Sequence, residues 1–112
     1  MGSLEADVLE QLWAHLDGIT PGEILDELGS GLAYTTITTI LTRLAAKGFA
    51  ERDRRGRGFV YRPAITEADL AARRMGAALD RTHDRNAALA RFVGKLSSKD
   101  ERLLRALLER EG

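Results

Sequence analysis

The chain has 112 residues, seventeen basic and seventeen acidic side chains, a formal net charge of zero and no cysteine. That length supports one small domain, or one with an appendage, whose modest core leaves little room for a deep enzyme cleft. The lack of cysteine excludes disulfides, thiolate metal sites and a cysteine nucleophile, and it suits a reducing cytosol.

The neutral total hides a segregated distribution. Residues 1–32 carry seven acids and no Lys or Arg, whereas residues 33–63 carry seven bases against only Glu51 and Asp53. Residues 64–112 are nearly balanced, with ten bases and eight acids. A basic middle third suits a partner with a polyanionic face. No apolar run approaches the ~20 residues of a membrane-spanning helix, and the acidic start Met1–Asp7 lacks the basic region of a secretory signal. The expectation is a cytoplasmic protein with no membrane partner.

Leu4, Val8, Leu9, Leu12, Trp13 and Leu16 recur at helical spacing, so a first helix is predicted, with Ser3 at its start and Gly18 at its end. Thr20-Pro21-x-Glu23 predicts a capping box with proline at the first helical position. A short second helix follows, with Ile24, Leu25 and Leu28 inward, stopped by Gly29-Ser30-Gly31. A third helix is predicted from Tyr34 to Lys47, capped by Gly48. Its apolar face is Ile37, Ile40, Leu41 and Leu44; its other face carries Thr35, Thr36, Thr38, Thr39, Thr42 and Arg43. So many threonines lower helix propensity, which implies a use for their hydroxyls or their packing.

The period then changes. Phe49–Arg54 and Phe59–Pro63 read as two strands around the turn Arg55-Gly56-Arg57-Gly58. Three helices followed by a hairpin is the order of a winged helix-turn-helix. Beyond Pro63 the pattern is helical: Thr66-x-x-Asp69 opens one helix, Asp84 caps a second, and Ser98-x-x-Glu101 reads as a capping box for a third. The expected fold class is therefore mainly α with a small β-hairpin. Residues 1–64 form a winged-helix DNA-binding domain and residues 65–112 a helical dimerisation region.

A helix-turn-helix offers the N-terminal half of its second helix to base edges. Here that half holds Tyr34, Thr35, Thr36, Thr38 and Thr39, with Arg43 a turn further on. Threonine suits this contact, since its hydroxyl bonds phosphates or base edges and its methyl packs on thymine. Arg54, Arg55 and Arg57 concentrate three guanidiniums near a hairpin tip, suited to the DNA backbone or the minor groove. Leu89, Phe92, Leu96, Leu103, Leu104, Leu107 and Leu108 are the expected dimer core, because so short a tail has little to bury against by itself. Trp13 reads as core and His15 and His83 as non-ligands, since no metal-ligand spacing is present. There is no nucleophile set, phosphate loop or acidic dyad, so no enzyme, catalytic residue, metal or cofactor is expected. A winged-helix protein-interaction adaptor and a small-molecule-sensing regulator of the same shape remain as alternatives.

Three segments resemble the penicillinase and methicillin-resistance repressors of the BlaI/MecI type. They are Leu4-Glu5-x-x-Val8-Leu9-x-x-Leu12-Trp13, then Tyr34-Thr35-Thr36-Ile37-x-Thr39-Ile40-Leu41-x-Arg43-Leu44-x-x-Lys47-Gly48, and then Arg57-x-Phe59-x-Tyr61-x-Pro63. The tail from Phe92 to Glu101 also fits. The resemblance implies a homodimeric repressor on a palindromic DNA operator, with Thr35, Thr36, Thr38, Thr39 and Arg43 in the recognition helix and Arg57 and Tyr61 in the wing. It also implies induction by a regulatory protease that cuts the C-terminal region at an Asn-Phe bond. The corresponding pair here is Arg91-Phe92, a departure at the cleaved bond itself.

Overall fold

The computed structural model describes residues 3–29 and 31–111. Along them the chain runs α1 (Ser3–Ala14), α2 (Pro21–Leu28), α3 (Tyr34–Ala46), β1 (Ala50–Arg55), β2 (Gly58–Pro63), α4 (Glu67–Arg81), α5 (Arg85–Gly94) and α6 (Ser98–Glu111). It divides into two compact units, Met1–Leu70 and Ala71–Gly112.

The first unit is built on apolar stripes at helical spacing. Val8, Leu9 and Leu12 of α1, Ile24 of α2, and Ile37, Leu41 and Leu44 of α3 are essentially excluded from solvent. Ala50, Tyr61, Ile65 and Leu70 join the same core. Among the described residues every buried side chain is apolar or Tyr61, so burial is opposed by little polar desolvation. Trp13 packs against this core and donates its indole N–H to the Ile65 carbonyl at 2.9 Å. That bond satisfies the one polar atom of a ring otherwise suited to burial.

Local chemistry fixes the ends of these helices. The capping box of α2 forms as expected: the Glu23 amide donates to Thr20 Oγ1 at 3.1 Å, and the Thr20 amide donates to Glu23 Oε1 at 2.9 Å. The bond from the Thr20 amide, seconded by the one with its hydroxyl, holds the Glu23 carboxyl below its ordinary 4.5. α3 closes on a left-handed Gly48 (φ +82), with Phe49 N–H donating to Leu44 O and Gly48 N–H to Ala45 O. This is a Schellman closure, and it turns the chain directly into β1.

β1 and β2 pair antiparallel, with Arg52 opposite Tyr61 and Arg54 opposite Phe59. The turn is tighter than expected. Arg55 and Gly58 belong to the strands, leaving only Gly56-Arg57 between them. Gly56 has φ +60 and Arg57 does not share the positive φ, the pattern of a type II′ turn whose twist matches the strands. Ile19 adds a third, single-residue rung by exchanging backbone bonds with Tyr61 at 2.9 and 3.1 Å.

Other boundaries also moved. α1 begins at Ser3 itself and stops at Ala14, four residues before Gly18; the chain then turns through His15 N–H to Leu12 O and Gly18 N–H to His15 O. Ser30, the middle of the expected stop after α2, lies outside the described residues.

In the second unit α5 is capped as expected, with Ala87 N–H donating to Asp84 Oδ1 at 3.1 Å. The cap of α6 is Ser97 rather than Ser98: the Asp100 amide donates to Ser97 Oγ at 3.0 Å, because Ser98 already has helical geometry. Leu96 falls between α5 and α6, not on α5. Among the described residues from 71 to 110 no side chain is buried. Phe92, Leu103 and Leu108 are each about half exposed or more, at 49%, 57% and 66%. Leu89 and Leu107 are exposed as well, and Leu96 and Leu104 are half-buried. No described helix is long and apolar enough to cross a membrane.

Candidate nucleic-acid interface

α3 is two-faced. With Ile37, Ile40, Leu41 and Leu44 buried, a turn of 100° per residue puts Thr35, Thr39 and Thr42 opposite the core, Arg43 to one side and Thr38 to the other. Tyr34, Thr35, Thr39, Thr42 and Arg43 are exposed, and Thr36 and Thr38 are half-buried. Thr36 lies on the flank beside Ile40, so it is shared between surface and packing.

Two of the hydroxyls are engaged within the helix. Thr38 Oγ1 donates to Thr35 O at 3.0 Å, and Thr42 Oγ1 donates to Thr38 O at 2.9 Å. This back-bonding lets a threonine-rich segment stay helical, and each oxygen keeps acceptor capacity for a partner. The side chains of Thr35, Thr39 and Arg43 make no hydrogen bond among the described residues.

The hairpin sorts its charges by face. Arg52 and Arg54 stand on the side of Phe59 and Tyr61, whereas Glu51 and Asp53 stand on the other side with Arg62. Arg62 Nη2 forms an ion pair with Asp53 Oδ2 at 2.6 Å and lies 3.4 Å from Glu51 Oε1, so its charge is neutralised within the chain. The Arg52 guanidinium carbon lies over Phe59, 4.0 Å from the ring centroid, and Arg54 is more distant at 5.6 Å. Cation–π contact of this kind fixes a long side chain without consuming its N–H donors.

α3 and the hairpin enclose an open groove. Tyr34, Thr38 and Thr42 line it from the helix, and Arg52, Arg55, Arg57 and Phe59 line it from the wing. No carboxylate is among its lining residues, which makes it a local cationic trough on a chain of zero net charge.

The expected DNA-contacting residues therefore fall into three groups. Thr35 and Thr39 face outward from α3, Tyr34 and Thr38 lie on its groove flank with Arg57 across the groove, and Thr36 and Arg43 lie on the opposite flank. Arg54 is exposed on the groove face of β1, and Arg55 folds back: its Nη2 donates to the Asp17 carbonyl at 3.2 Å. Tyr61 is only 6% exposed and belongs to the core, with just an edge on the groove. Its place opposite Arg52, beside the Ile19 rung, turns its ring inward and not out along the wing. Two groove residues escaped the sequence reading, Arg52 and Thr42. Both carried a signal: Glu51-Arg52-Asp53-Arg54 alternates in sign at the strand period, and Thr42 lies one turn beyond Thr38.

A three-helix head whose third helix is polar outward, followed by an arginine-bearing hairpin, defines a winged helix-turn-helix regulator. The penicillinase repressor family matches residues 1–110. The chain is 35% identical over 117 residues to a Mycobacterium tuberculosis protein named transcriptional regulator BlaI, covering 99% of this chain and 85% of that one. It is 37% identical over 67 residues to the penicillinase repressor of Bacillus licheniformis, covering 58% of this chain and 52% of that one. The solution structure of Bacillus licheniformis BlaI in monomeric form, in complex with the blaP half-operator, superposes with a TM-score of 0.51 at 37% identity, covering 62% of this chain and 85% of that one. This chain belongs to the penicillinase repressor family.

Proposed function

We propose that the chain is a sequence-specific DNA-binding transcriptional repressor, cytoplasmic and without a catalytic step, that acts as a homodimer on a palindromic operator. One observation carries the reading: α3 turns Thr35, Thr39 and Thr42 outward, and its Tyr34–Thr38–Thr42 flank borders a groove lined by arginines and no carboxylate. The helix supplies base-edge donors and acceptors, and the wing supplies phosphate ligands. The related repressor whose structure was solved with a half-operator supports the same use of the head.

The dimer is supported by what the second unit lacks. A helical segment of about forty residues with no buried side chain cannot repay the ordering of its helices from its own contacts. Leu89, Phe92, Leu96, Leu103, Leu104, Leu107 and Leu108 of two copies would supply the missing core. In this scheme residues 1–64 read DNA and residues 65–112 hold the copies together. Loss of the linked second half-site would lower apparent affinity by ~10²–10⁴-fold, so a regulatory protease acting on the tail would derepress.

The test is selection of bound duplexes from a random-sequence library at physiological salt. The expected product is a palindrome whose halves lie about one helical turn apart, ~10 base pairs or a multiple. Sequence-blind, salt-sensitive binding would refute the reading.

A further inference from the structure

Of the four arginines on β1 and its turn, Arg52, Arg55 and Arg57 all line the groove, but Arg55 also donates a hydrogen bond to the turn between α1 and α2. Arg52 and Arg54 stand on the face of Phe59, and Arg57 lines the groove from the turn. Arg55 stands opposite Gly58 at the end of β1, where it borders the groove. Its Nη2 donates to the Asp17 carbonyl in the turn between α1 and α2. The Glu23 carboxylate is close enough to feel its charge.

Two further contacts meet at the same turn. Gly18 (φ +118) sits so tightly on the hairpin that an added Cβ would lie 2.9 Å from Val60 Cγ2 and 3.7 Å from Arg55 Nη2. The next residue, Ile19, forms the backbone rung with Tyr61. Residues 17, 18 and 19 thus grip the hairpin by a side-chain bond, a steric seat and a backbone pair. The rung and the seat hold β2 alone. Arg55 adds the attachment on β1, next to the turn.

We infer that Arg55 is a positioning residue, a latch that sets the tilt of the wing against α3, and not one of the phosphate ligands. A two-stranded ribbon by itself is marginal and twists freely. With the latch closed, the guanidiniums of Arg52 and Arg57 are held at a fixed distance from Thr38 and Thr42 before any partner arrives. Preorganisation of this kind raises affinity by removing an ordering cost, not by adding a contact.

The binding arm of the test rests on the DNA-binding reading; a second arm needs no DNA. In the free full-length chain, Arg55→Ala should speed amide hydrogen exchange at Ile19 and Tyr61 by roughly two- to tenfold, the range one net hydrogen bond corresponds to. On the duplex that the wild-type chain selects, the same variant should weaken binding by a similar factor and leave the slope of log affinity against log salt unchanged. Arg57→Ala is the contrast: unchanged exchange at both amides, and a slope smaller by ~0.9, one released phosphate contact. A slope reduced by that amount in Arg55→Ala, with wild-type exchange, would overturn the latch and make Arg55 a phosphate ligand. Wild-type exchange together with wild-type affinity would also overturn it. If the wild-type chain selects no duplex, the repressor reading fails, while the exchange arm still decides the latch.

Discussion

Gly18→Ala tests how the head is assembled at its tightest point. The substitution adds one methyl where φ is +118 and where that methyl would meet Val60 Cγ2 at 2.9 Å and Val60 Cβ at 3.1 Å. A non-glycine residue in such backbone geometry costs about 1–3 kcal/mol. Carbon atoms in contact prefer about 3.5–4.0 Å, and Val60 is 2% exposed, so it has nowhere open to move. Overpacking of this kind costs about 1–3 kcal/mol. Allowing for partial relaxation, the sum is about 2–5 kcal/mol, a large share of the 5–15 kcal/mol that holds a typical domain. Urea unfolding of the full chain reads this directly. With a slope of about 1–3 kcal/mol per molar, the midpoint should fall by about 0.7 molar or more. Val60→Ala in the same chain separates the two causes. Alone it should destabilise; with Gly18→Ala it should return about 0.5–3 kcal/mol of the loss, because the new methyl then has room. A midpoint shift within error for Gly18→Ala would refute the seating of the α1–α2 turn on the hairpin.

Arg43→Ala should weaken the selected duplex about 6- to 150-fold, equivalent to ~1–3 kcal/mol, and relax the preference at one base position if it meets a base edge; unchanged binding would remove it from the interface. Arg52→Ala should lower the salt slope by ~0.9 without loss of folding, as measured by fluorescence titration at several salt concentrations. Leu104→Asp with Leu107→Asp should give a monomer in sedimentation at micromolar concentration, and a persistent dimer would exclude α6 from the interface. Because the folded pKa of Glu23 is depressed, its contribution to stability is present above the ordinary 4.5 and lost as pH falls through the lowered value. Glu23→Gln should therefore flatten the acid side of the stability profile, followed by circular dichroism, and leave the neutral side sloping as before.

Much of the head is legible from residue order. The spacing of Val8, Leu9 and Leu12, the Thr20-Pro21-x-Glu23 box and the Gly48 closure are local signals, each completed within a few residues, and each forms as read. Less is legible where partners are remote. Tyr61 is a wing residue, in β2 as read, but its burial depends on Ile19 and the core behind it. Arg55 looks like its neighbours Arg54 and Arg57, but its bond partner is thirty-eight residues away in sequence. The cap of α6 was missed by one position because Ser97 and Ser98 are chemically equal and only helix geometry separates them. Arg52 was overlooked for a different reason. Its significance is the period-two alternation of Glu51-Arg52-Asp53-Arg54, which acquires meaning only once the strand has two distinct sides.

That alternation constrains how the hairpin can change. Ala50 anchors the start of β1 in the core, and every residue after it takes a side by parity. One residue inserted directly after Ala50 would exchange the two sets. Glu51 and Asp53 would then face the groove, and two guanidiniums would crowd Arg62 on the other side. The composition and net charge would scarcely alter, yet the trough would change sign. Length variation in this strand is thus restricted to steps of two, and a single-codon insertion there acts as a charge inversion.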